Sequence, residues 1–339
     1  MSCNVRVEPS QHQFSVESGE TVLDAALRQG VGLPYGCRNG FCGACRGKVA
    51  AGQVGYAGDP PPALRPEDQA AGYAMLCKAH AESDLVIEVA EVAGSKDLKP
   101  QTYTAKVARK AQLAHDVVGI YLKLPEGERM PFLAGQYIDI LLEDGRRRAF
   151  SLANPPHDDE WLELHIRLVP GGQYTHHVFA EMAEGEILRF EGPLGSFCLR
   201  EDSQRPSLFV GGGTGFAPLK GILEHAFSEG VSKPLVLYWG ARAKRDLYLD
   251  ALPEGWAREH GNFSYVPVLS QAEPEDAWQG RNGWVHEAVV ADYPDLSGYD
   301  VYMSGPPPMI EAAKEAFFAC GLPEDRLFSD AFEYAKDAK

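Results

Sequence analysis

Four cysteines in the first quarter of the chain have the spacing of iron–sulfur ligands. Three of them follow the pattern C-x4-C-x2-C within a glycine-rich segment, and the fourth stands far downstream; they are Cys37, Cys42, Cys45 and Cys77. Four thiolates in this order form the ligand set of a 2Fe-2S cluster, and thiolates suit its soft iron–sulfide core. Glycines at positions 36, 40 and 43 allow backbone angles that direct amides at the sulfurs and tune the cluster.

A zinc site and a set of buried free thiols stay open as alternatives to the cluster. A structural zinc ion also takes four thiolates, but zinc frameworks usually pair two short hooks, whereas here one loop supplies three ligands and Cys77 stands alone. Buried free thiols would leave the glycine-rich loop without a packing purpose. Cys3, Cys198 and Cys320 bring the total to seven, an odd number for a disulfide framework, so the crowding of the first four favours metal ligation.

A second group of residues, near the middle of the chain, has the chemistry to hold a phosphorylated cofactor. Arg148, Phe150 and Ser151 put a cation, an aromatic ring and a hydroxyl on one strand-like run. Downstream, Gly172 and Thr175 come just before the one helix predicted in this region, where helix amides and a hydroxyl can bind a pyrophosphate. Taken alone, the motif fits a barrel core residue beside a solvated basic turn equally well.

A third group resembles a dinucleotide-binding loop. The segment Gly-Gly-Gly-Thr-Gly at 211–215 follows an apolar strand at 208–210 and opens an apolar helix. Its glycines, Gly211, Gly213 and Gly215 among them, let the backbone approach a pyrophosphate, and Thr214 can reach the nicotinamide. The segment does not match G-x-G-x-x-G, and a plain strand-to-helix turn would also tolerate glycine.

The elements needed to position these groups divide the chain into three domains. Residues 1–94 are predicted to form a small unit of short strands with one helix from Thr21, and 93–100 has the composition of a linker, with the boundary near Ser95. In residues 100–202, strand-like runs separated by turns predict an antiparallel barrel. In residues 205–339, apolar strands alternate with helices, which predicts a doubly wound parallel sheet. The chain of 339 residues is long enough for three cores.

Composition and charge exclude several partners. Apolar residues make up 45% of the chain, which is ample for globular cores, and the formal net charge of -16 opposes binding to nucleic acid or anionic lipid. A protein partner with a basic or mixed surface is expected instead. The N-terminus shows no basic segment followed by an apolar run, and no stretch of about 18 apolar residues occurs, so we expect a cytoplasmic protein without a membrane span.

The first two groups of residues resemble known families. The segment Pro-Tyr-Gly-Cys-Arg-Asn-Gly-Phe-Cys-Gly-Ala-Cys at 34–45 resembles the cluster loop of plant-type ferredoxins, which implies a β-grasp fold. The run 148–151 resembles the Arg-x-Tyr-Ser motif of the ferredoxin-NADP reductase superfamily. This resemblance implies that Arg148 pairs with an FAD phosphate, Phe150 packs on the flavin or ribityl chain, and Ser151 hydrogen-bonds near flavin N5. Phe150 replaces the commoner Tyr of the motif.

Near the end of the chain, the segment 303–309 resembles the Cys-Gly-Pro-Pro-x-Met segment of the same superfamily, which lies beside the nicotinamide. The resemblance assigns Gly305 and Pro306 to cofactor binding and puts Ser304 where many members carry cysteine. Phe332 would lie over the flavin face, where nicotinamide must displace it, although its segment equally fits a terminal strand. Ser151, Ser304 and Phe332 are therefore the expected catalytic residues.

The identity of the hydride donor depends on three basic residues after the second strand of the third domain. Arg242, Lys244 and Arg245 stand where the 2'-phosphate of NADPH would lie, but they fit a solvated turn equally well. We take NADH as the expected donor and NADPH as the alternative.

Together the three sites predict an electron-transfer enzyme. Hydride chemistry moves two electrons, a cluster moves one, and flavin does both, so the expected order is NAD(P)H, FAD, 2Fe-2S cluster and a separate acceptor protein. Over its length the chain resembles the reductases of bacterial oxygenases, and most closely the CDP-6-deoxy-delta-3,4-glucoseen reductases, whose acceptor is a dehydrase-bound deoxysugar intermediate. A dehydrase or an oxygenase component is thus the expected partner, and a redox-sensing protein is the alternative from another class.

Overall fold

The computed structural model describes residues 2–95 and 98–332, and the first of its three domains is a mixed sheet with one main helix. Its elements are β1 (Cys3–Glu8), β2 (Gln13–Val16), α1 (Val22–Arg28), β3 (Arg46–Ala51), β4 (Val54–Gly55), α2 (Pro66–Ala70), β5 (Tyr73–Met75), β6 (His80–Ala81) and β7 (Leu85–Glu88). The sheet order is β2-β1-β7-β3-β5, with β1 and β7 parallel and the other pairs antiparallel, while β4 and β6 pair separately.

Helix α1 delivers the chain to the cysteine loop. It begins where the sequence predicts, because the Asp24 amide donates a hydrogen bond to Thr21 Oγ1 at 3.1 Å and so gains a cap. The helix buries Val22, Leu23 and Ala26 against the sheet. The 17 residues between α1 and β3 (29–45) contain three of the four candidate ligands.

The second domain is an antiparallel barrel. Its elements are β8 (Gln101–Ala114), β9 (Val117–Lys123), β10 (Tyr137–Leu141), β11 (Arg147–Ser151), β12 (Leu162–Arg167), α3 (Gln173–Ala180) and β13 (Ile187–Leu194). The strands follow the order β11-β10-β13-β8-β9-β12. An antiparallel bridge between Leu152 and Leu164 joins the two outer strands, so the sheet closes just after β11.

The third domain is a parallel sheet with helices on both faces. Its elements are β14 (Ser207–Gly212), α4 (Phe216–Ser228), β15 (Leu235–Ala241), α5 (Ala251–Glu259), β16 (Phe263–Leu269), β17 (Arg281–Asn282), α6 (Val285–Asp292), β18 (Asp300–Gly305), α7 (Pro307–Ala319) and β19 (Leu327–Ala331). The strand order is β17-β16-β15-β14-β18-β19: the chain adds β15 to β17 on one side of β14 and then β18 and β19 on the other side. Ligands bind such sheets at the carboxyl ends of the strands beside this change of side, here between β14 and β18.

Apolar cores fill each domain, and one of them also joins two domains. The first domain and the barrel each have a core, and the parallel sheet has one on each face. On one of those faces, Val117, Phe197 and Leu199 from the barrel pack into the same cluster as helix α4. The barrel and the parallel sheet are therefore held together by continuous apolar contact.

The predicted fold class is confirmed: a ferredoxin-like mixed sheet, an antiparallel barrel and a doubly wound sheet follow one another along the chain. The domain limits 1–94, 100–202 and 205–339 stay predictions. Residues 96 and 97 of the predicted linker and 333–339 of the third domain lie outside the described residues. Among the helices of the described ranges, each is too short or too polar to cross a membrane.

Candidate functional site

The cysteine loop is shaped by two glycines and by one backbone contact. Gly40 and Gly43 have φ of +89° and +78°, the left-handed region that side chains disfavour. Any side chain at Gly40 would also meet Pro61 at 2.8 Å. The Leu76 amide donates to the Cys45 carbonyl at 3.0 Å, which brings the fourth cysteine, one residue further on, to the first three.

The four sulfurs form two pairs. The Cys37 and Cys42 amides each donate to the sulfur of the other residue at 3.4 Å, and Cys45 and Cys77 are close enough for each thiol to shift the pKa of the other. Within the described residues, no three of these sulfurs lie within 4.8 Å of one another. One zinc ion, with Zn–S bonds of about 2.3 Å, would draw all four sulfurs to within about 4 Å of one another. Two irons with two thiolates each match the observed pairs.

Each pair stabilises one thiolate, the form that ligates metal. A hydrogen bond from Cys42, helped by backbone amides and opposed by burial, lowers the pKa of Cys37 to about 5. The Cys45 thiol lowers the pKa of Cys77 in the same way. The same interactions, together with burial, raise the pKa of Cys42 and Cys45, so each pair holds one thiolate and one thiol, and a cluster would have to displace the second proton.

A cavity of about 580 Å³ lies where the three domains meet, within the size range of cofactor pockets. The first domain contributes part of the cysteine loop, the barrel contributes β11 and the start of α3, and the third domain contributes the glycine loop and the end of β19. The predicted site residues on its wall are Cys37, Cys42, Arg148, Phe150, Ser151, Gly172, Thr175, Thr214 and Phe332. Sequence positions far apart therefore converge on one space.

The barrel side of this cavity fits a phosphorylated flavin. Gly172 is the N-cap of α3 and provides no side-chain hydrogen bond there, and the N-terminus of a helix favours an anion. Thr175 Oγ1 accepts from the Val169 amide at 3.1 Å and lies at the same helix end. The Phe150 ring packs on Tyr174 with a centroid distance of 5.8 Å and forms an apolar wall beside it.

The glycine loop lies against the end of β18, and its glycines are required for that contact. A Cβ on Gly215 would stand 1.9 Å from the Ser304 carbonyl oxygen. Gly213 has φ +55°, and a Cβ there would stand 2.7 Å from the Arg167 guanidinium. The loop therefore occupies the crevice between β14 and β18 where the fold predicts a nucleotide.

Ser304 lies beneath this loop and not on the cavity wall. Its side chain is fully buried, and its Oγ has no hydrogen-bond partner among the described residues. The Ser304 hydroxyl is therefore not accessible from the cavity. The carbonyl of the next residue, Gly305, accepts a hydrogen bond from the Phe332 amide at 2.9 Å. This bond connects Phe332 to the end of β18, beside the glycine loop.

The remaining predicted site residues do not line the cavity. They are Cys45, Cys77, Gly211, Gly213, Gly215, Gly305 and Pro306. Three basic residues proposed for a 2'-phosphate, Arg242, Lys244 and Arg245, are exposed at the end of β15, outside the cavity.

Asp330 is a cavity residue that the sequence analysis missed. It lies on β19, and its Oδ2 accepts a hydrogen bond from Ser151 Oγ at 3.1 Å across the barrel–sheet boundary. Burial raises its pKa to about 6, although the Ser151 hydrogen bond opposes the shift. The sequence did contain one signal for this residue: an acidic side chain within a predicted terminal strand.

The cluster loop is held on the barrel by direct hydrogen bonds. The Ser196 amide donates to the Tyr35 carbonyl at 2.9 Å, and the Tyr35 amide donates to Ser196 Oγ at 2.8 Å. The Tyr137 hydroxyl, on the cavity wall, donates to the Gly36 carbonyl at 2.8 Å. Arg38 adds an ion pair with barrel Glu191. The residues on either side of position 37 thus fix the first candidate cluster ligand against the barrel.

Three family models match the chain in succession. A 2Fe-2S iron-sulfur cluster binding domain matches residues 5–82, an oxidoreductase FAD-binding domain matches 104–198, and an oxidoreductase NAD-binding domain matches 209–315. Each match covers one of the three domains of the structure, in the same order along the chain.

Characterised proteins align with nearly the whole chain. The CDP-6-deoxy-L-threo-D-glycero-4-hexulose-3-dehydrase reductase of Yersinia pestis is 38% identical over 336 residues, which cover 99% of this chain and 100% of that protein. The chain belongs to the ferredoxin-fused reductases of the ferredoxin-NADP reductase superfamily. DmpP, the reductase component of a phenol 2-monooxygenase from Pseudomonas, is 38% identical over 343 residues, which cover 99% of this reductase and 96% of DmpP.

Solved structures agree with this assignment. GcoB, a reductase from Amycolatopsis, has a TM-score of 0.80 and 36% identity over 97% of this reductase and 98% of its own chain. The ferredoxin reductase of carbazole 1,9a-dioxygenase has a TM-score of 0.70 and 29% identity over 98% and 99% of the two chains. This reductase is an NAD(P)H-dependent oxidoreductase with FAD and a 2Fe-2S cluster, and it passes electrons to a separate protein.

Removing one cluster ligand should separate the two halves of electron transfer. We expect Cys42→Ala to abolish cytochrome c reduction and to leave ferricyanide reduction largely intact, because the cluster and the flavin belong to different domains. Cys320→Ala, which changes a cysteine at the end of α7 in the third domain, is the control and should keep both activities. Loss of both activities in Cys42→Ala, with flavin still bound, would contradict the assignment.

Asp330 should make the flavin potential depend on pH. Above about pH 6 its carboxylate is charged and disfavours electrons on the neighbouring flavin, whereas below that pH it is neutral. We expect Asp330→Asn to raise the flavin potential at pH 8 by on the order of 30 mV, corresponding to about 1.4 kcal/mol for two electrons. The difference should vanish at pH 5, and the exposed Asp325→Asn should show no such effect. Equal potentials of Asp330→Asn and wild type at pH 8 would exclude the electrostatic role.

Proposed function

We propose that this reductase oxidises NADH and delivers single electrons to the dehydrase component of a deoxysugar pathway. The observation that carries the proposal is the shared cavity, because cluster ligands, the barrel motif and the glycine loop border one space of about 580 Å³. Such an arrangement lets one chain receive a pair of electrons on one side and release them singly on the other.

The residues on the cavity wall have complementary proposed roles. FAD, when bound, accepts two electrons as a hydride and releases them one at a time. Arg148 and the α3 amides hold its phosphates, Phe150 packs on it, and the hydroxyl of Ser151, oriented by Asp330, hydrogen-bonds to it.

On the opposite wall, we assign Thr214 and the loop 211–215 to the nucleotide, with Gly305 and Pro306 beside them. Phe332 borders the cavity and covers the position that a nicotinamide ring must enter. Ser304 provides a buried hydroxyl under the loop, where a harder atom replaces the commoner sulfur. These residues bind and orient the donor, and the wall of the cavity excludes water from it.

Acidic side chains at the end of β15 favour NADH over NADPH. The Lys244 amide donates to Asp276 Oδ2 at 3.3 Å, and the Arg245 guanidinium lies 3.8 Å from the Glu273 carboxylate. Carboxylates therefore lie beside the Lys244 backbone amide and the Arg245 side chain, at the position where a 2'-phosphate would require uncompensated positive charge. A ribose hydroxyl is compatible with carboxylate acceptors, and a phosphate is repelled by them.

The dehydrase acceptor is supported by the Yersinia pestis relative, which aligns with this reductase over nearly the full length of both chains. The net charge of -16 favours an acceptor with a basic or mixed docking surface. An oxygenase component is the second candidate, because DmpP is equally identical to this reductase and GcoB shares its three-domain structure.

Reconstitution with each class of acceptor tests the proposal. We expect purified reductase and NADH to drive product formation by a deoxysugar dehydrase supplied with its CDP-6-deoxyhexulose substrate, with NADPH at least about tenfold less effective, a difference of about 1.4 kcal/mol. Product formed only with a phenol hydroxylase component would replace the dehydrase by the second candidate. A lack of NADH oxidation even with ferricyanide would overturn the reductase function itself.

A further inference from the structure

A buried lysine connects the barrel to the nucleotide-binding helix. Lys220 lies in the second turn of α4, the helix that begins directly after the glycine loop, and only 10% of its side chain is exposed. Its ammonium donates to the Ala153 carbonyl at 3.0 Å, to Glu163 Oε2 at 3.0 Å and to Glu224 Oε2 at 2.9 Å. Three acceptors use all three protons of the ammonium, and two of those acceptors belong to the barrel.

The network continues across the same boundary. Glu163 Oε1 hydrogen-bonds to His165 Nε2 at 2.9 Å, and His165 Nδ1 contacts the hydroxyl of Tyr248 at 3.0 Å. Glu163 and His165 are barrel residues, whereas Tyr248 belongs to the core of the parallel-sheet domain. Lys220 and Tyr248 thus contact the barrel from two elements of the third domain.

Electrostatics keeps Lys220 and Glu163 charged, whereas burial raises the pKa of Glu224 and lowers that of His165. Although burial opposes it, the hydrogen bond from His165 and the charge of Lys220 lower the pKa of Glu163 to about 2. Burial alone would lower the pKa of Lys220, but the charges of Glu163 and Glu224 raise it. Removing one member of such a buried pair leaves an uncompensated charge, which is strongly unfavourable.

The position of the network links two walls of the cavity. Ala153 follows Ser151 by two residues, at the Leu152–Leu164 bridge that closes the barrel. Gly221, next to Lys220, lies so close to this seam that a Cβ would stand 2.9 Å from the Asn154 carbonyl oxygen. The segment after Ser151 and the helix after the glycine loop are therefore in contact within a few residues of the cavity.

We propose that Lys220 is a positioning residue that fixes the nucleotide loop relative to the flavin-binding strand β11. This inference rests on the proposed function, because it assumes that loop 211–215 holds the hydride donor. Hydride transfer needs the reacting atoms about 3–3.5 Å apart, and a displacement of about 1 Å costs on the order of a hundredfold in rate. Apolar contact alone resists separation of the two domains but permits sliding, whereas the two directed hydrogen bonds from Lys220 to Ala153 and Glu163 fix the register.

Lys220→Met tests the proposal, because methionine keeps most of the length and the apolar stem while removing the charge. In stopped-flow experiments at saturating NADH, we expect flavin reduction to slow by about tenfold to a hundredfold, on the order that misplacement costs. The KM for NADH should change little, and the deuterium isotope effect with 4-deuterated NADH should increase. Lys314→Met, which breaks an exposed pair with Glu311 on α7, is the matched control and should behave as wild type.

A readout independent of turnover is hydrogen exchange of the purified protein. Amides of 152–154 and 213–220 should exchange faster in Lys220→Met than in Lys314→Met, while FAD and iron content stay unchanged. Lys220→Arg, which keeps the charge, should recover part of both the rate and the protection. A Lys220→Met protein with a lower melting temperature but wild-type flavin reduction and exchange would overturn the proposal and leave a purely stabilising role.

A second variant covers the case in which Lys220→Met does not fold. Glu163→Gln removes the charge of the barrel acceptor and keeps the Ala153 contact, so we expect a smaller decrease in the same reduction rate and the same exchange pattern. Wild-type behaviour of Glu163→Gln in both measurements would then overturn the proposal. If the wild-type flavin is reduced by neither NADH nor NADPH, the proposed function fails; if it is reduced normally and the variants match it, only the positioning role fails.

Discussion

The structure depends on one constraint: the proposed cofactor sites of three domains must border the same cavity. Cys37 from the first domain, Phe150 from the barrel and Thr214 from the parallel sheet all lie on its wall. The protein contributes position to this chemistry, since the cofactors supply the reactivity. Each interdomain contact therefore has a role that follows from the two cofactor sites that it positions relative to each other.

Two sets of contacts meet this constraint by different means. Hydrogen bonds of Tyr137 to Gly36 and of Tyr35 to Ser196, together with the Arg38–Glu191 ion pair, hold the cluster loop on the barrel. A network of charges centred on Lys220 holds the barrel on the nucleotide-binding domain. The two sets differ in burial, because the Arg38 side chain is 29% exposed and that of Lys220 only 10%.

The cluster ligands could be predicted from sequence because the chemistry itself fixes their spacing within one loop. The pairing that separates a cluster from a zinc ion could not, since it depends on where Cys77 lies after folding. Asp330 is 179 residues from Ser151 and meets it only because β19 joins the edge of the sheet beside β18. The contact of Tyr137 with Gly36, 101 residues apart, is of the same kind. Local spacing carries information on ligands and loops, but not on contacts between domains.

The architecture could be predicted from the patterns of apolar residues in the strands. Two strands, β8 and β16, lack the expected pattern, and each has a physical reason. Strand β8 has register shifts near Val107 and Gln112, which break the alternation of buried and exposed residues. Strand β16 carries Pro267, a residue that argues against a central strand. Ser304 was expected beside the nicotinamide, and the fold puts its side chain under the glycine loop, because β18 is buried along its whole length.

The most direct test of the shared cavity is the rate at which the cluster is reduced after anaerobic mixing with NADH. Tyr137→Phe removes the hydroxyl that holds the cluster loop on the cavity, and Tyr103→Phe changes another barrel tyrosine, stacked on Phe190, as a control. We expect slower appearance of the reduced-cluster EPR signal in Tyr137→Phe, with flavin reduction unchanged and with wild-type kinetics in Tyr103→Phe. Cluster reduction at the wild-type rate in Tyr137→Phe would contradict the dependence of electron transfer on this shared cavity.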